Sequence, residues 1–163
     1  GFEASGTGCM KFMMNGAVSI GTLDGANIEI RKEAGEHNFF LFGLTAPQIS
    51  DMQQAGYNPR HYYDKSPLLR EVLDGLRDGR FSNGDRELFA PLVNDLMNYD
   101  RYFVLADFDA YAAAQQEAGK AYADISRWET MSLLNTARSG KFSSDRTIRQ
   151  YCEDIWKLPL GDR

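Results

Sequence analysis

The chain has 163 residues, 43% of them hydrophobic and 25% charged, with 23 acidic against 18 basic side chains and a net charge of −5. That length and balance suit one soluble domain with a real core. They offer no basic footprint for nucleic acid or an anionic membrane, no apolar run long enough to span a bilayer, and no secretory leader at the start.

In chain order, residues 1–8 are small and turn-forming, with Gly6 and Gly8 on either side of Thr7. A chain that starts at Gly1, inside such a loop, is expected to be a piece of a larger protein. Residues 11–16 predict one or two helical turns closed by Gly16, and residues 17–20 a short strand. A turn at Asp24 and Gly25 opens a helix over 26–34, and the apolar run 38–43 predicts the clearest buried strand. Ser66 and Pro67 then cap a helix carrying Leu69, Val72, Leu73 and Leu76 and ended by Gly79. Leu88, Leu92, Val93 and Leu96 mark another helix, residues 102–106 a third short strand, and Asp109 a cap for the alanine-rich stretch through Tyr122. The capping box Ser126-Arg-Trp-Glu129 opens a further helix. Ser143 or Ser144 caps a last one, with Ile148, Tyr151, Ile155 and Trp156 on one face and Pro159 as its stop. Three short strands among these helices predict part of an α/β sheet followed by a mostly helical extension.

The opening loop carries the first chemical signal. Gly6-Thr7-Gly8 running into a helix can cradle an anion, because glycine lets the backbone approach and a helix N-terminus offers N–H groups. It lacks both the dinucleotide fingerprint and the Walker lysine pair, so a plain tight turn is the competing reading. Lys11, on the same helix, is either a solvated charge, a phosphate contact, or an amine that captures a carbonyl when shielded from water. Cys9 and Cys152 form no CxxC pair and read as free thiols of a reducing compartment, which makes cytoplasm the default location. Asp107 and Asp109 suit turns or caps better than a metal site, and His37 and His61 lack partners at ligand spacing. Tyr62, Tyr63 and Trp128 read as packing residues rather than sugar platforms.

The run Glu3-Ala-Ser-Gly-Thr-Gly-Cys-Met-Lys-Phe-Met-Met-Asn-Gly16 closely resembles the cofactor-lysine motif of the α-glucan phosphorylases, EASGTGNMKFMxNG. The likeness continues through Ile20-Gly-Thr-Leu-Asp-Gly-Ala-Asn-Ile-Glu29, Asn38-Phe-Phe-Leu-Phe-Gly43 and Gly56-Tyr-Asn58, then Tyr62-Tyr-Asp64. It weakens between about Asp78 and Arg127 and resumes with Ser139-Gly-Lys-Phe-Ser-Ser-Asp-Arg-Thr-Ile148 and Tyr151. The resemblance implies the C-terminal piece of a glycogen/starch-type phosphorylase. The implied fold is α/β: the C-terminal part of a Rossmann-like domain of a two-domain glycosyltransferase (GT-B) fold, with a mostly helical C-terminal extension. Residues 1–163 would be one partial domain, divided into a cofactor and glucose loop with its lysine helix (1–16), an α/β remainder (17–106) and C-terminal helices (107–163).

By the same resemblance Lys11 is similar to the lysine that holds pyridoxal 5'-phosphate covalently, and Thr7 and Gly8 to the residues whose backbone lies beside the cofactor phosphate. Glu3, Ser5 and Gly6 are similar to the loop that binds the hydroxyls of the transferred glucose, a role for which a carboxylate accepting two hydrogen bonds is suited. No metal is implied. The family reaction moves a terminal α-1,4-linked glucose from an α-glucan to inorganic phosphate, giving glucose 1-phosphate with retained configuration. The parent is expected to be a cytoplasmic homodimer with no nucleic-acid or membrane partner, and the chain alone to be inactive. Cys9 stands where the family motif has Asn, and a thiol is the poorer donor. A non-catalytic module with a degraded site is therefore the alternative reading.

Overall fold

The computed structural model describes residues 6–159. It shows a mixed, mostly helical chain with one two-stranded sheet. Contacts divide it into two compact units, Gly1–Phe40 with Ala118–Arg163, and Leu41–Glu117.

In the first unit, helix α1 (Thr7–Met14) leads to strand β1 (Ser19–Gly21), helix α2 (Ala26–Ala34) and strand β2 (Phe39–Leu41), which pairs with β1. Gly16, at φ 83, closes α1 as its sequence position predicts. The long helix α7 (Val104–Ala123) ends in this unit and is followed by α8 (Ile125–Arg138) and the short α9 (Ser144–Gln150). Its core is Met13, Ile30, Ala34 and Phe39, against which Cys9, Met10, Ala26 and Phe142 pack. Helix α8 packs on both α1 and α2. Asn135 does much of the joining. Fully buried, its amide nitrogen donates to the Asn38 carbonyl at 3.1 Å and to the Met131 carbonyl at 2.9 Å. Arg138 adds a bond from Nη1 to the Ala34 carbonyl at 2.7 Å.

The second unit holds α3 (Ala46–Ala55), α4 (Pro59–Lys65), α5 (Pro67–Arg77) and α6 (Ala90–Asn98). Leu69, Leu73, Val93, Met97 and Leu105 form its core, with Tyr62 and Tyr63 packed against it as the sequence suggests. Ser66 caps α5 by accepting from the Leu69 N–H, and its hydroxyl donates to Asp109 at 2.7 Å. Helices α3 and α4 were not expected. Their start signals are short-range ones: a Thr45–Gln48 capping box and an Asn58 cap, each followed by proline in the first turn.

Five expectations are corrected. Residues 102–106 are not a strand: Asp100 and Phe103 take left-handed backbone, φ 36 and φ 58, and α7 starts at Val104. The cause is Asp100, whose carboxylate accepts from the Val104 and Leu105 N–H groups at 2.8 Å each and so turns the chain into a helix. Asp109 therefore lies inside α7 rather than capping it. Asp124, not Ser126, caps α8, accepting from the Arg127 N–H at 3.1 Å. Strand β2 is buried only at Phe39, with Leu41 40% exposed, because it has a single neighbour in the sheet. Finally, the last helix ends at Gln150 in a wider turn (Tyr151–Trp156), and Ile148, Tyr151, Ile155 and Trp156 are all exposed.

Asp100 also takes a bond from the Tyr57 hydroxyl at 2.6 Å, while the Tyr57 and Phe103 rings lie 4.3 Å apart. Burial first, and then that bond, hold the Tyr57 pKa far above its ordinary 10.0. The ionised phenolate is thus the disfavoured form in the fold. Stabilisation from this pair is complete below pH 10.0 and is lost as the pH rises through the higher folded value. We expect Tyr57→Phe to cost about 1 kcal/mol at neutral pH and to flatten the alkaline fall in stability, read by denaturation at a series of pH values.

Candidate functional site

The first turn of α1 begins at Gly6, which adopts left-handed backbone (φ 63, ψ 13) and has no side chain with which to cap the helix. A Cβ built on Gly6 would lie 2.3 Å from the Ala26 Cβ, so α2 requires glycine here. Gly6 is buried, whereas Thr7 and Gly8 are exposed, and a Cβ on Gly8 would meet nothing within 4 Å. Thr7 and Gly8 are therefore reachable from solvent, which an anion cradle requires. Gly6→Ala should destabilise the unit by about 2 kcal/mol or more, through left-handed strain and overpacking, and should loosen α1. Denaturation of the variant beside Gly8→Ala, which meets no neighbour, checks it.

Lys11 is exposed and lines a pocket of about 400 Å³ whose wall also includes Thr7, Met10 and Met14 of α1. Its ammonium has no hydrogen-bonding or acidic partner among the described residues. The remaining wall comes from the other end of the chain: Ser139, Gly140, Phe142, Ser143 and Ser144. Sequence reasoning singled out Thr7, Gly8 and Lys11, and these share one helix. It assigned Ser143 and Ser144 only to capping. Ser143 does cap α9, accepting from the Asp145 N–H at 3.2 Å, but both serines also line the pocket. The signal missed was the reprise of family likeness at residues 139–148, which had no chemical role attached to it. Glu3 and Ser5 lie outside the described residues.

The other conspicuous side chains are structural. Asp107 accepts from the Leu44 N–H at 2.8 Å, Tyr122 and Trp128 meet edge to face at 5.2 Å, and His61 stands edge-on to Tyr62. No group of three or more potential metal ligands exists among the described residues. No helix among them is long and apolar enough to cross a membrane. Cys9 packs against the buried cluster, a position that suits a small apolar thiol and explains how it is accommodated beside the loop.

A carbohydrate phosphorylase family model matches residues 1–158. The chain belongs to the carbohydrate phosphorylase family. It is 56% identical over 158 residues to a glycogen phosphorylase of Synechocystis sp., covering 97% of this chain and 19% of that protein. It is 50% identical over 169 residues to the muscle form of glycogen phosphorylase of Homo sapiens, covering 99% of this chain and 20% of that protein. The chain thus spans about one fifth of the length of the curated relatives it matches.

The pocket residues fit a phosphorylated carbonyl cofactor of the pyridoxal-phosphate kind. An amine with no partner among the described residues and a wall bearing hydroxyls are the kinds of group that a covalent anchor and anion donors require.

Proposed function

We propose that this chain is the part of an α-1,4-glucan phosphorylase that carries the cofactor lysine. The whole protein would release glucose 1-phosphate from glycogen, starch or maltodextrin using inorganic phosphate. The observation that carries the reading is the Lys11 amine, without a partner among the described residues, on a pocket whose lining also includes Thr7, in a chain of this family. Lys11 anchors and orients pyridoxal 5'-phosphate. Thr7 and Gly8 offer backbone N–H groups at the start of α1 to the cofactor phosphate, where the helix dipole favours negative charge. Glu3, Ser5 and Gly6 hold glucose hydroxyls, the carboxylate accepting two at once. When bound, the cofactor supplies a phosphate that transfers a proton and stabilises charge at the glucosyl group. This chain's residues contribute positioning.

In the same proposal the chain is the end of the second Rossmann-like domain of a GT-B glycosyltransferase. One partial domain then covers the loop and lysine helix (1–16), the α/β remainder (17–106) and the helices of 107–163. The parent is cytoplasmic and homodimeric, with α-glucan, phosphate and glucose 1-phosphate as its small-molecule partners. Lys11 is exposed here, while carbonyl capture favours an amine shielded from water, so the rest of the protein is assigned that shielding. The isolated chain, given pyridoxal phosphate, phosphate and glucan, is expected to release no glucose 1-phosphate above a Lys11→Ala control. Turnover by the isolated chain would overturn the division of labour. Absence of phosphate-dependent glucose 1-phosphate formation by the whole protein would overturn the function.

A further inference from the structure

We propose that residues 139–144 form the second wall of the cofactor pocket, with Phe142 as a positioning residue for Lys11 and the Ser144 hydroxyl as a hydrogen-bonding contact for the bound cofactor. This rests on the reading of Lys11 given above.

Phe142 faces two ways. It lines the pocket, and it packs on the buried cluster of Met13, Ile30, Ala34 and Phe39. Met10 of α1 holds the same double position on the Lys11 side. Both walls are thus registered on one core, and the width of the pocket follows from how Phe142 and α1 pack there. The segment is also tied down beside Phe142. Arg138 donates to the Ala34 carbonyl at the end of α2, and the Lys141 ammonium lies 4.0 Å from the Glu33 carboxylate. The salt bridge is partly exposed and adds little, so the Arg138 bond and Phe142 carry most of the anchoring. Truncating Phe142 would shift the wall facing Lys11 without touching the amine.

Ser144 differs from the other serines of the pocket. The Ser139 hydroxyl donates to the Thr136 carbonyl at 2.7 Å, and the Ser143 oxygen accepts from the Asp145 N–H. The Ser144 hydroxyl has no partner among the described residues and is exposed on the same pocket as the Lys11 ammonium. A hydroxyl and an ammonium lining one pocket are donors suited to an oxygen-rich, phosphorylated ligand.

The test compares Ser144→Ala, Ser144→Thr, Phe142→Ala, Phe142→Leu and Lys11→Ala in the whole protein loaded with pyridoxal phosphate. Three quantities are read: the rate of cofactor release into hydroxylamine, the pH profile of the bound cofactor's absorbance band, and the thermal midpoint of the cofactor-free protein. Ser144→Ala should speed release about two- to tenfold with no change in that midpoint, and Ser144→Thr should restore the rate. Phe142→Ala should speed release and shift the absorbance profile, and Phe142→Leu should recover most of both. If Lys11→Ala abolishes covalent attachment while Ser144→Ala and Phe142→Ala release cofactor at the original rate, the second wall is wrong and the Lys11 reading stands. A Phe142→Ala effect confined to the thermal midpoint also overturns the positioning role. Intact attachment in Lys11→Ala removes the reading beneath both.

Discussion

Borohydride reduction of the whole protein followed by peptide mapping is expected to place a phosphopyridoxyl label on Lys11. The amine is on the pocket, unpaired within the described residues, and held on an eight-residue helix pinned to the core by Met13. That pinning matters because a covalent anchor is useful only if its direction is set. Met13 is fully buried two residues beyond Lys11, so rotation of α1 would have to drag it out of the cluster with Ile30, Ala34 and Phe39. In the proposed reading, Lys11→Ala would remove the anchor and leave the cofactor to the proposed anion contacts of Thr7 and Gly8. Turnover should then fall about a hundredfold or more, since a small misplacement of reacting groups has that effect. Lys11→Arg should fall equally, because a guanidinium keeps the charge but cannot replace the amine as nucleophile. A label on another lysine, with none on Lys11, would end the assignment.

Asp100→Ala is expected to be the most destabilising single change in the second unit, by about 3–4 kcal/mol. The carboxylate is 2% exposed and collects three donors: the Tyr57 hydroxyl and the Val104 and Leu105 N–H groups. Alanine leaves all three without that acceptor, and it must also occupy φ 36, a region that aspartate tolerates better. Asp100→Asn keeps the shape and one acceptor oxygen, so roughly half the loss is expected. The two variants should separate clearly in denaturation, and hydrogen exchange at Val104 and Leu105 should quicken in the same order. Equal stability of Asp100→Ala and the original protein would show that the cap is dispensable. Tyr57→Phe, which removes one donor and leaves the cap intact, should cost less than either.

Much of the candidate site was legible in residues a few positions apart. The turn at Gly6, Thr7 and Gly8, the helix carrying Lys11, its closure at Gly16 and the Ser66–Pro67 start of α5 all depend on backbone preferences and caps within four or five residues. The resemblance to the phosphorylases was carried by contiguous runs, and those runs suffice for the family. Length, charge and spacing also shaped the broad expectation of strands among many helices, though the sheet has two strands rather than three.

Other features required the fold. The apolar run at 102–106 looks extended when read by itself, yet the Asp100 carboxylate wins by satisfying two N–H groups and a buried hydroxyl from Tyr57, far upstream. Asn135 carries no local signal of its role, yet it is fully buried and bridges α8 to the Asn38 carbonyl. Ser144 reads as a cap, and Ser139 and Phe142 only as part of a family-like run; packing onto the core beneath α1 sets them on the Lys11 pocket. The sequence by itself therefore determined the family and some local helix boundaries, such as the Gly16 stop and the Ser66–Pro67 start, because neighbouring residues decide those through backbone conformation and capping. Which distant side chains complete the pocket and the buried hydrogen-bond centre was decided by tertiary structure alone, because burial and long-range packing bring together groups whose separation along the chain carries no local signal.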